Sequence, residues 1–416
     1  MLVQFSVGNY LSFKDIVTFS MVASARKEHS ETNLFVAKDK LKLLKSAVVY
    51  GANASGKSNL IQAMRFMRYF ALNSSKDESK IKVTNFKLSS ETENKPSLFE
   101  IIFIHESIRY RYGFQVDQEK VVREWLFCVP IRKETRLFVR EGNNFEIGTH
   151  FKEGKGIEQR TRANALFLSV VAQFNGEISL RILKWFKRFR VISTLTDFRF
   201  VPFTIEKLKE EAIRKEILNF LKKADLGIED IRLEETEIKY EDMSEEDRSR
   251  VGPDGKFFSV QIQTSHQKFD NENKVSASVK FDLGREESEG TKKFFALSGP
   301  FLDTLKKGYV LVVDELDSKL HPILIKFLVS LFNSTENNPL NAQLVFASHN
   351  TNLFSRSVFR RDQIWLTEKN KYGATDLYSL VEYKVRNDAS FEKDYILGKY
   401  GAIPLVRETG SLFGKK

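Results

Sequence analysis

Residues 51–58 read Gly51-Ala-Asn-Ala-Ser-Gly56-Lys57-Ser58, a match to G-x-x-x-x-G-K-[ST]. They follow the apolar run Ser46-Ala-Val-Val-Tyr50. They precede apolar residues at helical spacing: Leu60, Ile61, Met64, Met67 and Phe70. Strand, glycine loop and helix in that order are what phosphate binding by this pattern requires. The glycines let the backbone fold tightly, so that successive N–H groups point at phosphate oxygens. The helix adds its positive N-terminal end to the same anion. Lys57 is expected to reach the β- and γ-phosphates and the Ser58 hydroxyl to ligate Mg²⁺. Gly51, Asn53, Ser55, Gly56, Lys57, Ser58 and Asn59 are therefore the expected nucleotide-binding residues of this loop.

Downstream, Tyr309-Val-Leu-Val-Val-Asp314-Glu315 has four apolar residues before two carboxylates. That pattern suits a buried parallel strand ending at a reactive edge. Asp314 is expected to hold the Mg²⁺ shell and Glu315 to act as general base on the attacking water. Leu344-Val-Phe-Ala-Ser-His349 is a second such strand, ending in a histidine that suits the γ-phosphate or the water. Between the two halves, Glu287-Ser288-Glu289-Gly290-Thr291 precedes a helical stretch that leads to the Asp314 strand. Serine and glycine at a helix start form another anion-binding composition. Two such starts point to composite ATP sites, with Lys57 supplied by one chain and Ser288 and Gly290 by the other.

The wider chain fits this reading. Its 416 residues suggest two or three domains, or one with a large insertion. With 42% hydrophobic and 29% charged residues, a sizeable core is expected and wholesale disorder is not. The sole cysteine, Cys128, excludes an internal disulfide and a cysteine zinc site, and suits a reducing cytoplasm. No apolar run is long enough for a membrane span, and MLVQFSVGNYLSFKD lacks the regions of a signal peptide. The net charge of +11 suits nucleic acid, an acidic protein or a nucleotide.

Leu2–Val7, Ile16–Met21 and three runs in 97–130 are expected strands. Helical patterns run over about 164–190 and 205–224, followed by the acidic stretch 229–247, expected to be a solvated loop. Strands return in 257–283. The expected division is 1–150 with the P-loop, 151–250 as a mainly helical insertion with the acidic loop, and 251–416 with the remaining motifs. In Lys184-Trp-Phe-Lys-Arg-Phe-Arg190, an amphipathic helix burying Trp185, Phe186 and Phe189 competes with a nucleic-acid contact. Arg360 and Arg361 beside Asp362 are expected to form local ion pairs.

The order GANASGKS, ESEGTKK, VLVVDELDSKLHP, LVFASHN resembles the ABC-type ATPase heads of the SMC, RecF and OLD-like group. The resemblance implies an α/β P-loop NTPase head with a mixed sheet, antiparallel strands and a helical insertion. It makes Lys57 and Ser58 Walker A, Asp314 and Glu315 Walker B, Ser288 and Gly290 the signature. Asp317 becomes the D-loop aspartate and His349 the switch histidine. The signature wording departs from that of transporters, which disfavours a transporter subunit. Gln173 is the candidate Q-loop residue sensing Mg²⁺, with Gln115 its rival.

The tail FRRDQIWLTEKNKYGATDLYSL and Tyr395-Ile-Leu-Gly-Lys-Tyr-Gly-Ala-Ile-Pro404 look like stand-alone ATPases of bacterial abortive-infection and phage-defence operons, of the AbiL, RloA and PARIS type. This likeness is weakest across about 130–260. It implies work beside a separate effector, commonly a Toprim-type or RloB-like nuclease, while the composite sites of the ABC-type head imply a homodimer or higher homo-oligomer. A DNA-maintenance ATPase that binds DNA directly is the alternative. A P-loop reads phosphates and not the base, so the motif leaves ATP and GTP undistinguished.

Overall fold

The wholly buried run Ser46–Tyr50 is a strand, as its unbroken apolar character predicts. The computed structural model describes residues 1–193, 200–238, 257–384 and 390–404. In chain order the first strands are β1 (Leu2–Gly8), β2 (Val17–Ser20), β3 (Leu34–Val36), β4 (Lys42–Leu44) and β5 (Ser46–Tyr50). Helix α1 spans Lys57–Asn73. An antiparallel meander follows: β6 (Ser97–His105), β7 (Ile108–Val116), β8 (Val121–Val129), β9 (Thr135–Glu141) and β10 (Asn144–Ile147). Then come α2 (Phe167–Gln173), α3 (Glu177–Arg188) and β11 (Phe189–Ser193).

The chain divides into two compact units. Unit one holds Met1–Thr194, Thr304–Asp317 and Leu328–Lys416; unit two holds Leu195–Asp303 and Ser318–Phe327. Unit two carries α4 (Val201–Leu208), α5 (Glu211–Lys223), β12 (Asp230–Ile238), β13 (Phe257–Phe269) and β14 (Val275–Asp282). The later elements are α6 (Glu289–Lys307), β15 (Val310–Asp314), α7 (Pro322–Asn333), β16 (Gln343–Ala347), β17 (Ile364–Lys369), β18 (Thr375–Ser379) and α8 (Phe391–Ile396).

Unit one is built on two large sheets, with the small β3-β4 pair beside them in sequence. One is antiparallel, in the order β10-β9-β8-β7-β6-β1-β2. The other runs β11-β15-β16-β5-β17-β18; its first five strands are parallel and β18 is antiparallel to β17. β5, β15 and β16 are buried along their whole length. The result is a mixed α/β fold.

Helix α1 buries Leu60, Ile61, Met64, Met67 and Phe70 in the core of unit one. Phe66 packs on Phe99 at 4.8 Å and Phe70 on Phe114 at 5.4 Å, which anchors α1 to the antiparallel sheet. Trp185 stacks on Phe103 at 4.0 Å, and Trp185, Phe186 and Phe189 are all buried. The amphipathic-helix reading of 184–190 is the one observed, so these aromatics are not offered to a ligand.

Three expectations change. First, 151–250 is not one insertion, because residues up to Thr194 belong to unit one and α4, α5 and β12 to unit two. The helical run 164–190 breaks at Asn175, whose φ is +64°, and Gly176. Second, the expected helix 205–224 is two helices, α4 and α5. Third, the first part of the acidic stretch is strand β12, paired with β13. Ile231 is buried, while Asp230 pairs with Arg214 at 2.8 Å and Glu234 with Lys280 at 3.2 Å. Residues 239–247 of that stretch lie outside the described residues.

In unit two, Pro300 sits inside α6 and removes an N–H that would bond the carbonyl four residues back. That carbonyl, on Ala296, instead accepts the buried Thr204 hydroxyl at 3.0 Å. The helix interior thus tolerates the proline without an orphaned acceptor.

Candidate phosphate-binding site

The P-loop joins β5 to α1. Gly56 has φ +117°, and a Cβ there would lie 2.4 Å from the Thr375 hydroxyl. At Gly51 a Cβ would lie 2.4 Å from the Thr367 carbonyl oxygen. Both positions therefore need glycine because another strand passes too close for a side chain. The loop is pinned from outside. Ser55 Oγ and Thr367 Oγ1 share a 2.7 Å hydrogen bond. Thr375 Oγ1 contacts both Ser12 Oγ and the Ser55 carbonyl at 2.8 Å. Asn59 donates to Ser12 Oγ at 2.7 Å. The side chains of Ser55 and Asn59 thus brace the loop, whereas Asn53 is exposed at its tip.

Lys57 is buried, and its ammonium donates to the carbonyls of Gly51 at 2.7 Å and Ala52 at 2.9 Å. Burial lowers its pKa to about 8 against the opposing pull of Asp317, Asp314 and Glu315. A cation already folded over its own loop stands where a phosphate is expected.

Ser58 Oγ donates to Asp314 Oδ1 at 3.1 Å. Burial raises the Asp314 pKa, the Ser58 hydrogen bond opposes that shift, and the neighbouring Glu315 adds to it. Glu315 follows directly, with φ +51°, a turn that ends β15 at this edge. Asp317 Oδ2 accepts from Ser348 Oγ at 3.0 Å and from the His349 amide at 2.7 Å. The His349 ring reaches solvent, yet desolvation and then the Lys57 charge hold its pKa below the ordinary imidazole value. A cavity of about 540 Å³ opens beside the loop, bounded by His349, Thr367, Tyr395 and Ile403. The loop, Asp314, Glu315, Asp317 and His349 therefore converge at the carboxyl ends of adjacent parallel strands, where α/β folds bind ligands.

Ser288 and Gly290 lie in unit two. The Ser288 hydroxyl accepts the Thr291 amide at 3.1 Å and so N-caps α6. Neither glutamine lies on the parallel sheet. Gln173 ends α2 and is exposed, and Gln115 lies within β7. The strand beside β15 is β11, whose Ser193 stands in register with Asp314. The helical turn before Gly176, not a strand end, accounts for the polar residue at 173. Ser12, Thr367 and Thr375 carry no motif; only their shared contact with the loop reveals them.

Residues 46–355 match the model of the family described as "AAA domain, putative AbiEii toxin, Type IV TA system". The chain belongs to that family. AAA domains of this kind are P-loop ATPase modules, and the loop geometry above is the nucleotide-binding part of one. Comparison with curated proteins finds no match. Among solved structures, the SMC head domain from Thermotoga maritima aligns at 12% identity and a TM-score of 0.41. That alignment covers 91% of this chain and 98% of that one. Among the described residues, no helix of this AAA protein is long and apolar enough to cross a membrane.

Proposed function

We propose that the chain binds and hydrolyses ATP with Mg²⁺ in a head-to-tail dimer. The observation that carries this reading is the 3.1 Å hydrogen bond from Ser58 to Asp314 beside the folded-back Lys57. A hydroxyl and a carboxylate are hard oxygen donors, which fit Mg²⁺ sharing its remaining positions with phosphate and water. Bound there, Mg²⁺ would neutralise charge developing on the phosphates. Lys57 leaves its loop carbonyls for the β- and γ-phosphates. Glu315 orients a water for in-line attack on the γ-phosphorus and takes its proton as the bond to ADP breaks. His349 steadies the γ-phosphate side. The partner's Ser288 and Gly290 complete the site, so isolated chains turn over slowly.

The experiment compares wild type with Glu315→Gln for mass in solution, with and without Mg-ATP, and for phosphate release. The expected variant binds ATP, locks a larger assembly and releases almost no phosphate. Wild-type hydrolysis by that variant overturns the assignment of this edge.

The biological reading is that of a sensor or regulatory ATPase in an abortive-infection or phage-defence system, controlling a separate effector such as a nuclease. The Tyr395–Pro404 tail likeness supports it, as does a family description that names a toxin of a Type IV TA system. Co-purification with the product of an adjacent gene and a change in phage plating test it; failure of both ends it. The +11 charge favours the second reading, a DNA-maintenance ATPase. That reading requires DNA-stimulated turnover and steeply salt-dependent binding, and no binding at low salt removes it.

A further inference from the structure

Unit two holds a contact set that the roles above do not use. Lys293 lies one turn into α6 and is only 2% exposed. Its ammonium donates to the carbonyl and the hydroxyl of Ser318, both at 2.6 Å. Ser318 directly follows Asp317. The next residue, Lys319, pairs with Glu289 at 3.0 Å, and its carbonyl oxygen would lie 2.9 Å from a Cβ on Gly290. The first turn of α6 thus grips Ser318–Lys319 by a buried cation, an exposed ion pair and a backbone approach that only glycine permits.

Burying an ammonium is costly unless hydrogen bonds replace its water, and here two charge-assisted bonds converge on one residue. An apolar side chain would fill the same space more cheaply. The arrangement fixes the position of Ser318–Lys319 relative to Ser288 and Gly290, not merely the packing around them. The residue before Ser288, Glu287, is in turn held to β13, accepting Thr264 Oγ1 at 2.5 Å and lying 2.6 Å from His266 Nε2.

We infer that Lys293 is a positioning residue that locks the segment after Asp317 onto the signature helix, so that both are presented as one rigid piece to the partner's nucleotide. This inference rests on the proposed role of Ser288 and Gly290 across a dimer. It separates two quantities. ATP binding to the P-loop of a single chain does not use Lys293. Turnover, and the ATP-dependent assembly, do.

The test uses the full chain with Lys293→Met, Lys293→Arg and Ser288→Arg. Lys293→Met is expected to bind a fluorescent ATP analogue within about threefold of wild type and to lose about tenfold or more in kcat. In a Glu315→Gln background it should also weaken the ATP-dependent mass shift. Lys293→Arg keeps a donor and should recover much of the turnover, which an apolar packing role would not explain. Wild-type turnover by Lys293→Met overturns the inference. If Lys293→Met does not fold, Ser318→Ala, which removes the hydroxyl acceptor, must lower kcat by about two- to fivefold with binding intact; unchanged kcat overturns it equally. Ser288→Arg separates the failures. If it stays active, the composite site falls; if it is inactive while Lys293→Met is normal, only the role of Lys293 falls.

Discussion

The main-chain amide of His349 donates to the carboxylate of Asp317 at 2.7 Å, and the Ser348 hydroxyl donates to the same oxygen at 3.0 Å. One carboxylate oxygen therefore sets the turn that carries His349 out of β16. The other oxygen, Oδ1, is buried without a hydrogen-bond partner. Removing the carboxylate leaves the His349 amide and the Ser348 hydroxyl without their shared acceptor. Asp317→Ala should lower stability by about 1–3 kcal/mol and turnover by an order of magnitude or more. Asp317→Asn keeps an acceptor and should cost less in both. Urea melts alongside phosphate release separate the two effects; equal losses for both variants would show that charge, not the acceptor, matters.

Asp314 gives a different signature. Its pKa is raised because burial penalises the charged form, so at neutral pH the ionised carboxylate opposes folding of the free chain. Asp314→Asn should therefore raise the melting temperature without ligand by ~2 °C or more while abolishing Mg²⁺-dependent hydrolysis. Ser58→Ala should share the functional loss without the gain. A destabilised Asp314→Asn protein would show instead that the Ser58 hydrogen bond outweighs desolvation.

The motifs at this edge were readable because β5, β15 and β16 are buried on both faces and appear as unbroken apolar runs. A polar residue at the end of such a run has little else to be but an edge residue. Legibility fails where tertiary contact overrides local pattern. Asp230–Ile238 is acidic enough to resemble a loop, yet Ile231 is buried and Arg214 and Lys280 neutralise its neighbours, so it pairs as a strand. Gln173 is a candidate from its place before a helical stretch; the chain puts it at the end of α2, exposed beside the turn at Asn175. Lys293 carried no signal, since one lysine in a run of two is ordinary until Ser318 is found against it.

His105 makes stability depend on pH. The side chain is 6% exposed, its Nε2 has no hydrogen-bond partner, and burial lowers its pKa to about 4 from an ordinary 6.5. Above pH ~6.5 the imidazole is neutral in both folded and unfolded chains and contributes no pH dependence. As pH falls from there toward 4, the unfolded chain binds a proton that the folded one refuses, so stability drops. The loss is roughly 3 kcal/mol across the window. Glu106, 3.6 Å away, limits it at the acid end. His105→Leu should flatten this part of the curve in chemical melts between pH 7 and 4, and an unchanged slope would assign the acid sensitivity elsewhere.

A buried charge pair of unit one, Glu124 and Arg140, lies outside the phosphate-binding loop. Glu124 is fully buried and accepts the amides of Phe167 at 2.6 Å and Leu168 at 3.1 Å, the first two residues of α2. Tyr112 donates to it at 2.9 Å, and Arg140 lies 3.8 Å away. Burial raises the Glu124 pKa; Arg140 and the helix amides pull against that. The carboxylate therefore does two things: it terminates α2 on the antiparallel sheet and offsets a buried guanidinium. Arg140 also donates to the carbonyls of Ala165 at 2.7 Å and Gly142 at 2.9 Å, so its hydrogen bonds survive without Glu124 but its charge balance does not. Glu124→Ala should cost about 3–5 kcal/mol, the usual penalty for stranding a buried charge. Glu124→Gln keeps an acceptor for one amide but strands the same charge, and should recover only part of that. The Glu124→Ala, Arg140→Met double variant decides between the two roles. If charge compensation dominates, the double variant regains stability over Glu124→Ala; if capping of α2 dominates, it stays as low or falls further.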